Sequence, residues 1–436
     1  MSGKLSMEPG QFGNMLKRLR DRANSPLVRN TFYYGLNFGL QILTQFGYFV
    51  LISRALGIGG YGIFASVSAV ALTVSVFVGW GSDHLLIQRV AIYKDQFAAY
   101  FGRALTLVFA TMIPAVLFAM TVLYFLNTGD LNLLALAGIV IAECGFRKIT
   151  FLCSAAYMAH DRAGKQFVID NGSMLLRLVA IATLTLVAQD VTLNTWAAWY
   201  VCASAFTSTV SVVMVVRDFG LPRLVFSGFE FKQGFLLGLE FASISGLKDL
   251  DKPVIVQTLG ADQAGLYTAA FRIIDAATAP VRAVLFATYT RYFRHAHEGV
   301  EHGIAFGMRI IPFISALGLA VAVAVLIGAG YVPLIIGKEY EPSVDLIRTL
   351  ALYPLFLGAA GIGADIMRSV GMQGIRVVLV LISNFVVIGI VWVGSTTGGL
   401  EGAVIARMVT QLLILTATWT LIGRKKKSHT GEGEDG

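Results

Sequence analysis

Charged side chains inside apolar stretches are the residues of this sequence with the clearest chemical potential. Each costs a few kcal/mol in lipid unless it faces a bundle interior or water. The densest group is the segment KDLDK, in which Lys248, Asp251 and Lys252 share one helical face. With two amides of the first apolar segment, the buried charges give ten candidate substrate-binding residues: Asn37, Gln41, Arg147, Lys148, Lys248, Asp251, Lys252, Arg272, Asp275 and Arg309.

Two interpretations of these charges stay open. They could pair within the bundle, as Glu143 with Arg147 at i, i+4 and Asp249 with Lys252 at i, i+3. Alternatively, the excess of cations could bind an anion, and the planar fork of arginine suits phosphate. Because the set is larger than helix pairing needs, a cationic cavity is favoured.

The first apolar segment carries no charge but a stripe of polar residues at helical spacing. Its members are Asn30, Tyr34, Asn37, Gln41, Thr44, Gln45 and Tyr48. Such stripes often mediate helix packing, but this one spans nearly the whole segment. We therefore expect it to line a hydrated cavity.

Catalytic patterns are missing from the sequence. The six histidines are scattered, the three cysteines lack metal-ligand spacing, and no phosphate-binding loop of the Walker type occurs. We expect no enzymatic activity, no catalytic residue, no metal and no cofactor.

The elements that position these residues follow from composition. Of 436 residues, 56% are hydrophobic and 14% are charged, with a mean hydropathy of +0.71, whereas a soluble domain carries about 25% charged residues. A soluble protein is excluded, and we predict an all-α polytopic membrane protein. Twelve apolar segments are expected, at 32–53, 61–80, 101–126, 131–156, 172–188, 194–216, 233–258, 264–288, 304–328, 343–367, 374–394 and 402–423.

The cations predict the orientation of these segments. One set of alternating loops holds 22 lysines and arginines, and the other set holds only Arg54 and Lys338. Cations are retained on the cytoplasmic side, so both termini should be cytoplasmic. The net charge of +8 then reflects topology, and no nucleic-acid partner is expected.

An internal repeat divides the chain. LGIGGYGIF, from Leu56 to Phe64, recurs 203 residues later as LGADQAGLY, from Leu259 to Tyr267. Both copies fall between the first and second segments of a block of six, which predicts two parallel six-helix lobes around a central cavity. The expected divisions are a basic leader (1–29), the amino-terminal lobe (30–216), an interfacial linker (217–232), the carboxyl-terminal lobe (233–423) and a cytoplasmic tail (424–436).

Three stretches carry a family resemblance: RALGIGGYGIF, WGSDHLLIQRVA and LDKPVIVQTLGADQAGLYTAA. The chain resembles the polysaccharide-transport, Wzx-type O-antigen flippase branch of the multidrug/oligosaccharidyl-lipid/polysaccharide exporter superfamily. The resemblance implies a V-shaped pair of lobes that moves an undecaprenyl-pyrophosphate-linked oligosaccharide across a bacterial inner membrane. It also implies recurrent family positions at Arg54, Tyr61, Gly62, Arg89, Asp251, Lys252, Gly265 and Tyr267.

We therefore expect a flippase for surface polysaccharide such as O-antigen, capsule or exopolysaccharide. Its partners would be the lipid-linked oligosaccharide, membrane lipids and other membrane proteins of polysaccharide assembly. An ion-coupled drug or metabolite antiporter of the same fold is the alternative, although the first segment lacks the carboxylate typical of drug exporters. A glycan polymerase or ligase would need a large external loop, which the sequence lacks.

The topology is testable by labelling single cysteines with a membrane-impermeant thiol reagent in intact cells. Cysteines on the predicted outer side should react, namely those at Gly129, Asp262 and Thr397. Cysteines on the predicted cytoplasmic side should stay protected, namely those at Gly164, Gly228 and Ser428. The reverse pattern would invert the orientation.

Overall fold

A computed structural model describes residues 26–126, 132–224 and 231–431. Within these ranges the chain is almost entirely helical, and they contain no strand. Most of the predicted leader, the phenylalanine-rich part of the predicted linker and the end of the predicted tail lie outside the described residues.

Helices of the first half follow one another with short connections, as the alternation of apolar segments and polar breaks predicts. The longest, α1, contains a kink at Gly57 that separates the first predicted segment from the second. The helices are α1 (Pro26–Ser75), α2 (Ser82–Ile92), α3 (Phe97–Phe125), α4 (Leu133–Ile141), α5 (Arg147–Ala159), α6 (Ala163–Val187) and α7 (Leu193–Phe219).

The second half repeats this pattern and ends in another long kinked helix. Helix α16 bends at Gly399, between the last two predicted segments. The helices are α8 (Phe231–Asp249), α9 (Asp251–Leu259), α10 (Ala261–Ala277), α11 (Ala279–His297), α12 (Val300–Gly328), α13 (Val332–Ile336), α14 (Ser343–Thr349), α15 (Tyr353–Ser369) and α16 (Gln373–Gly431).

Each of the twelve predicted apolar segments overlaps a helix. Seven helical stretches of the described chain are long and apolar enough to cross a membrane. The predicted class, an all-α polytopic membrane protein, is confirmed. The remaining segments contain buried charges or breaks, so the count of twelve crossings and the two-lobe division stay predictions.

Two breaks lie beside the charges that the sequence analysis singled out. A π-helical turn, Ala142–Phe146, joins α4 to α5 and carries Glu143. Leu250 separates α8 from α9, and Pro253 lies in the first turn of α9. Proline cannot donate a backbone hydrogen bond, which explains why the helix is interrupted within the KDLDK segment.

The two copies of the repeat adopt the same turn and pack against each other. Gly57 and Gly260 have positive φ angles of 65° and 89°, a conformation that favours glycine. Gly62 and Gly265 lie in the helices that follow, where a Cβ atom on either one would overlap the backbone of the other copy. The repeat turns therefore form a close backbone contact between the two halves.

Further contacts between the halves surround this glycine pair. The Tyr340 hydroxyl donates to the Ser53 carbonyl at 3.1 Å, and the Arg54 guanidinium donates to the Leu334 carbonyl at 2.8 Å. All of these groups lie on the side of the molecule that the charge distribution predicts to be external. That side is closed in this structure.

Substitution of Gly62 or Gly265 by Ala should lower the midpoint of thermal unfolding in detergent, because the added methyl group forces the repeat turns apart. Overpacking of this kind costs about 1–3 kcal/mol. Gly389→Ala is the control, since nothing lies within 4 Å of its Cβ position. Equal unfolding midpoints for all three variants would show that the contact is loose.

Candidate substrate cavity

A cavity of about 400 Å³ lies within the second half of the chain, between α8, α9, α10, α11, α15 and α16. Apolar side chains such as Leu247, Leu285 and Leu357 form much of its wall. Seven cationic side chains also line it, against the carboxylates of Asp249 and Asp275. The cations are Lys248, Lys252, Arg272, Arg282, Arg368, Arg376 and Arg407.

Ion pairs hold part of this charge in place. The Lys248 ammonium lies 3.0 Å from the Asp275 carboxylate, which also accepts a hydrogen bond from Arg282. Lys252 pairs with Asp249 at the i, i+3 spacing that the sequence predicts. Lys248 lies one turn before Lys252, so both ammonium groups reach the cavity from one face of the α8–α9 segment.

Asp251 lies behind the cavity wall with none of its surface exposed. Its carboxylate accepts a hydrogen bond from the Tyr267 hydroxyl at 2.6 Å. The Arg407 Nε lies 3.4 Å from the same carboxylate, and the Lys252 ammonium lies 3.9 Å from it. Arg407 also donates to the Leu247 carbonyl at 2.7 Å. This cluster connects α9, α10 and α16.

Cations outnumber carboxylates even when the acids behind the wall are counted. Asp251 neutralises Arg407, and Asp365 accepts a hydrogen bond from Arg368 at 2.7 Å. With Asp249 and Asp275, four carboxylates lie among the cations. Asp275 pairs with two cations, Lys248 and Arg282. Even if Arg376, which has an interaction of its own, is left aside, six cations face these four acids. Two positive charges are left over, and an apolar wall strengthens their field.

A smaller cavity of about 130 Å³ adjoins the first one. Gln41 and Gln45 of α1 form one side of it, opposite Arg272, Asp275 and Arg282, which line both cavities. The amides of the predicted polar stripe thus face the cationic wall across the boundary between the two halves.

Asn37 and Arg147 occupy other places, although the sequence analysis grouped them with the KDLDK segment. Asn37 donates to Asp170 of α6 at 3.3 Å and accepts a hydrogen bond from Asn171. Arg147 forms the predicted pair with buried Glu143 at 3.0 Å. Neither residue lines the large cavity.

Lys148 and Arg309 are also separated from this cavity. Lys148 is buried against Asp83 of α2, with 3.2 Å between the ammonium and the carboxylate. Arg309 is exposed on α12. Of the four cations expected to form the cavity, Lys248, Lys252, Arg272 and Arg147, only Arg147 does not line it, because it pairs with Glu143 in another part of the bundle. Lys248, Lys252 and Arg272 do lie together.

Comparison with known proteins places the chain in a family. The family model described as "Polysaccharide biosynthesis protein" matches residues 27–289, more than half of the chain. The chain belongs to this polysaccharide biosynthesis family. No curated protein sequence matches it significantly.

Solved structures resemble this family member in fold. An inward-facing multidrug resistance MATE family transporter of the MOP superfamily aligns with a TM-score of 0.64 at 16% identity, covering 89% of this chain and 96% of the other. A MOP superfamily transporter from Pyrococcus furiosus aligns with a TM-score of 0.62 at 15% identity, covering 92% and 96%. An outward-facing MATE transporter gives 0.57 at 17% identity, also covering 92% and 96%. These matches show that the chain shares the fold of these proteins.

The ten candidate residues do not include four cavity cations, Arg282, Arg368, Arg376 and Arg407, although Arg282 and Arg407 are charges inside apolar segments of the sequence. Arg368 and Arg376 belong to the 22 loop cations on the predicted cytoplasmic side. Arg407 lies alone in an apolar segment, and a charge in such a place indicates a candidate functional residue. Its partner Asp251 is far away in sequence, so the pairing was invisible without the fold.

Substitution of Asp251 by Asn should lower the unfolding midpoint strongly, because it removes the counter-charge of fully buried Arg407. Breaking a buried pair in this way costs about 3–5 kcal/mol. The matched control is Asp345→Asn, which removes the partner of Arg348 from an exposed pair at 3.0 Å and should cost less than about 1 kcal/mol. Similar thermal shifts for both variants would contradict a structural role for Asp251.

Proposed function

We propose that this protein is a flippase that moves a polyprenyl-pyrophosphate-linked oligosaccharide across the bacterial inner membrane for surface polysaccharide biosynthesis. The excess positive charge of the large cavity carries this proposal. A cation in a low-dielectric wall needs an anionic partner, and the described carboxylates around the cavity are too few. A substrate with two phosphate groups supplies the missing charge.

The residues at the junction of the two cavities suit the pyrophosphate and the sugars of such a head group. Lys248, Arg272 and Arg282 would contact pyrophosphate, since guanidinium and ammonium groups form strong charge-assisted hydrogen bonds with phosphate oxygens. Gln41 and Gln45 lie opposite them and offer amide groups for sugar hydroxyls.

The position of the cavity relative to the closed repeat turns supports alternating access as part of the proposal. Arg368 and Arg376 line the large cavity near the ends of α15 and α16 that the charge distribution predicts to be cytoplasmic. The glycine contact closes the opposite side. We assign this structure to the inward-open state, which would load substrate from the cytoplasmic side with both termini in the cytoplasm.

The alternative is an ion-coupled drug or metabolite antiporter of the same fold. A cavity with excess positive charge repels organic cations, and α1 carries no carboxylate in its described apolar part. The Pyrococcus furiosus neighbour is described as a transporter whose binding pocket has a reverse polarity that suggests a different function. Pocket polarity is likewise the property that favours an anionic substrate here.

Neutralising the cavity should reduce surface polysaccharide while the protein still accumulates in the membrane. Each charge-assisted hydrogen bond contributes about 1.5–3 kcal/mol, so Lys248→Gln or Arg272→Gln should weaken apparent affinity roughly tenfold or more. Arg309→Gln is the control, because it removes an exposed cation that does not line the cavity. The measurement compares export with membrane abundance in a strain lacking the native gene.

Full export by both cavity variants at normal abundance would refute the cationic-cavity proposal. Normal polysaccharide in the deletion strain, accompanied by drug sensitivity, would favour the antiporter. Accumulation of a lipid-linked glycan on the cytoplasmic face would identify the substrate.

A further inference from the structure

An apolar groove lies beside the large cavity, between the two halves of α16. The kink at Gly399 folds these halves against each other, and Gly394 and Gly402 are in close contact next to it. Aliphatic side chains form most of the groove: Leu379, Ile382, Val386, Leu413, Ile414, Ala417 and Leu421.

The hydroxyl groups along the groove do not make it polar. Ser383 and Thr410 donate to the Leu379 and Ala406 carbonyls at 2.7 and 2.8 Å. Thr416 and Thr420 likewise donate to carbonyls of their own helix, at 3.0 and 2.7 Å. Because each donor is satisfied within its helix, these side chains present mainly methyl and methylene groups.

The groove adjoins the cationic cavity and also opens to the outside of the bundle. Leu379 and Ile414 line both the groove and the cavity. Ile382 and Leu413 have exposed fractions of 56% and 46%, so lipid can reach the groove from the side. The groove therefore lies directly beside the cavity, on the side of the bundle that lipid can reach.

The dimensions of the groove suit part of a long hydrocarbon chain. From Thr410 to Arg424 the second half of α16 rises about 21 Å, which exceeds the roughly 15 Å of one leaflet core. Arg424 lies at the end remote from the Gly399 kink, and the charge distribution predicts that end to be cytoplasmic. The groove thus lies in the leaflet from which a cytoplasmic substrate would enter.

We propose that this groove binds the polyprenyl chain of the substrate while the pyrophosphate occupies the cationic cavity. The inference rests on the proposed function and assigns the apolar part of the same molecule. Leu379 and Ile414 mark the point where the chain leaves the cavity. The charged head group then crosses the membrane inside the protein, and the chain remains in contact with lipid.

Binding of two probes to the purified protein in nanodiscs separates the two sites. The probes are inorganic pyrophosphate, which has only the charged part, and farnesyl pyrophosphate, which also has a prenyl chain. Ala417→Trp should fill the groove and weaken farnesyl pyrophosphate binding roughly tenfold, the effect of displacing about two methylene groups. Its affinity for inorganic pyrophosphate should stay within about twofold of the unmodified protein.

Val323→Trp is the matched control, because it places the same bulk on the exposed face of α12, away from the groove. It should bind both probes normally. Unchanged farnesyl pyrophosphate affinity in Ala417→Trp would overturn the groove proposal. Failure of the unmodified protein to bind pyrophosphate would instead overturn the cationic cavity, so the two failures are distinguishable.

A photo-crosslinking residue provides a second measurement if Ala417→Trp does not fold. Benzoylphenylalanine at Leu413 should crosslink to undecaprenyl pyrophosphate, and an excess of farnesyl pyrophosphate should suppress the product. The same residue at Val323 should give only the background that bulk lipid gives. Equal, unsuppressed crosslinking at both positions would show that the groove holds ordinary lipid.

Discussion

The carboxylate of Asp251 is fully enclosed by protein, and an apolar bundle supplies no water to stabilise its charge. Tyr267 and Arg407 therefore have to remain beside it, which fixes α9 against α10 and α16. This constraint positions the rest of the cavity. Once α9 is fixed, Lys252 is held between Asp249 and Asp251, and Lys248, one turn earlier, reaches Asp275 on α10.

Charge pairing around the cavity is incomplete, since the cations exceed the described carboxylates. Like charges held close together in a low-dielectric wall repel one another, so the free cavity is less stable than a neutral one. An anion that binds there relieves this repulsion and stabilises the folded protein by linkage. The charges that lower the stability of the empty protein are thus the source of substrate affinity in the proposed function. The same charges repel cationic solutes.

The helical class and the local pairs could be read from the sequence, because both depend on near neighbours. Hydrophobic runs indicate helices, and the spacing of Glu143 with Arg147 and Asp249 with Lys252 indicates pairs on one helix face. Long-range partners could not be read in this way. Lys148 shares its segment with Arg147 but pairs with Asp83, and Arg407 pairs with a residue more than 150 positions away. Only the packing of the helices decides which cations share a cavity.

Tyr61 and Arg272 connect the closed side of the molecule with the cavity. Tyr61 precedes Gly62 of the first repeat turn, and its hydroxyl interacts with the Arg272 guanidinium, which lines both cavities. In the proposed transport cycle, a pyrophosphate competes with Tyr61 for this guanidinium. Gly62 and Gly265 are in close contact, and the Tyr340–Ser53 and Arg54–Leu334 hydrogen bonds also join the two halves on this side. In that proposed cycle, substrate binding at Arg272 removes one of the interactions that connect the first repeat turn with the second half.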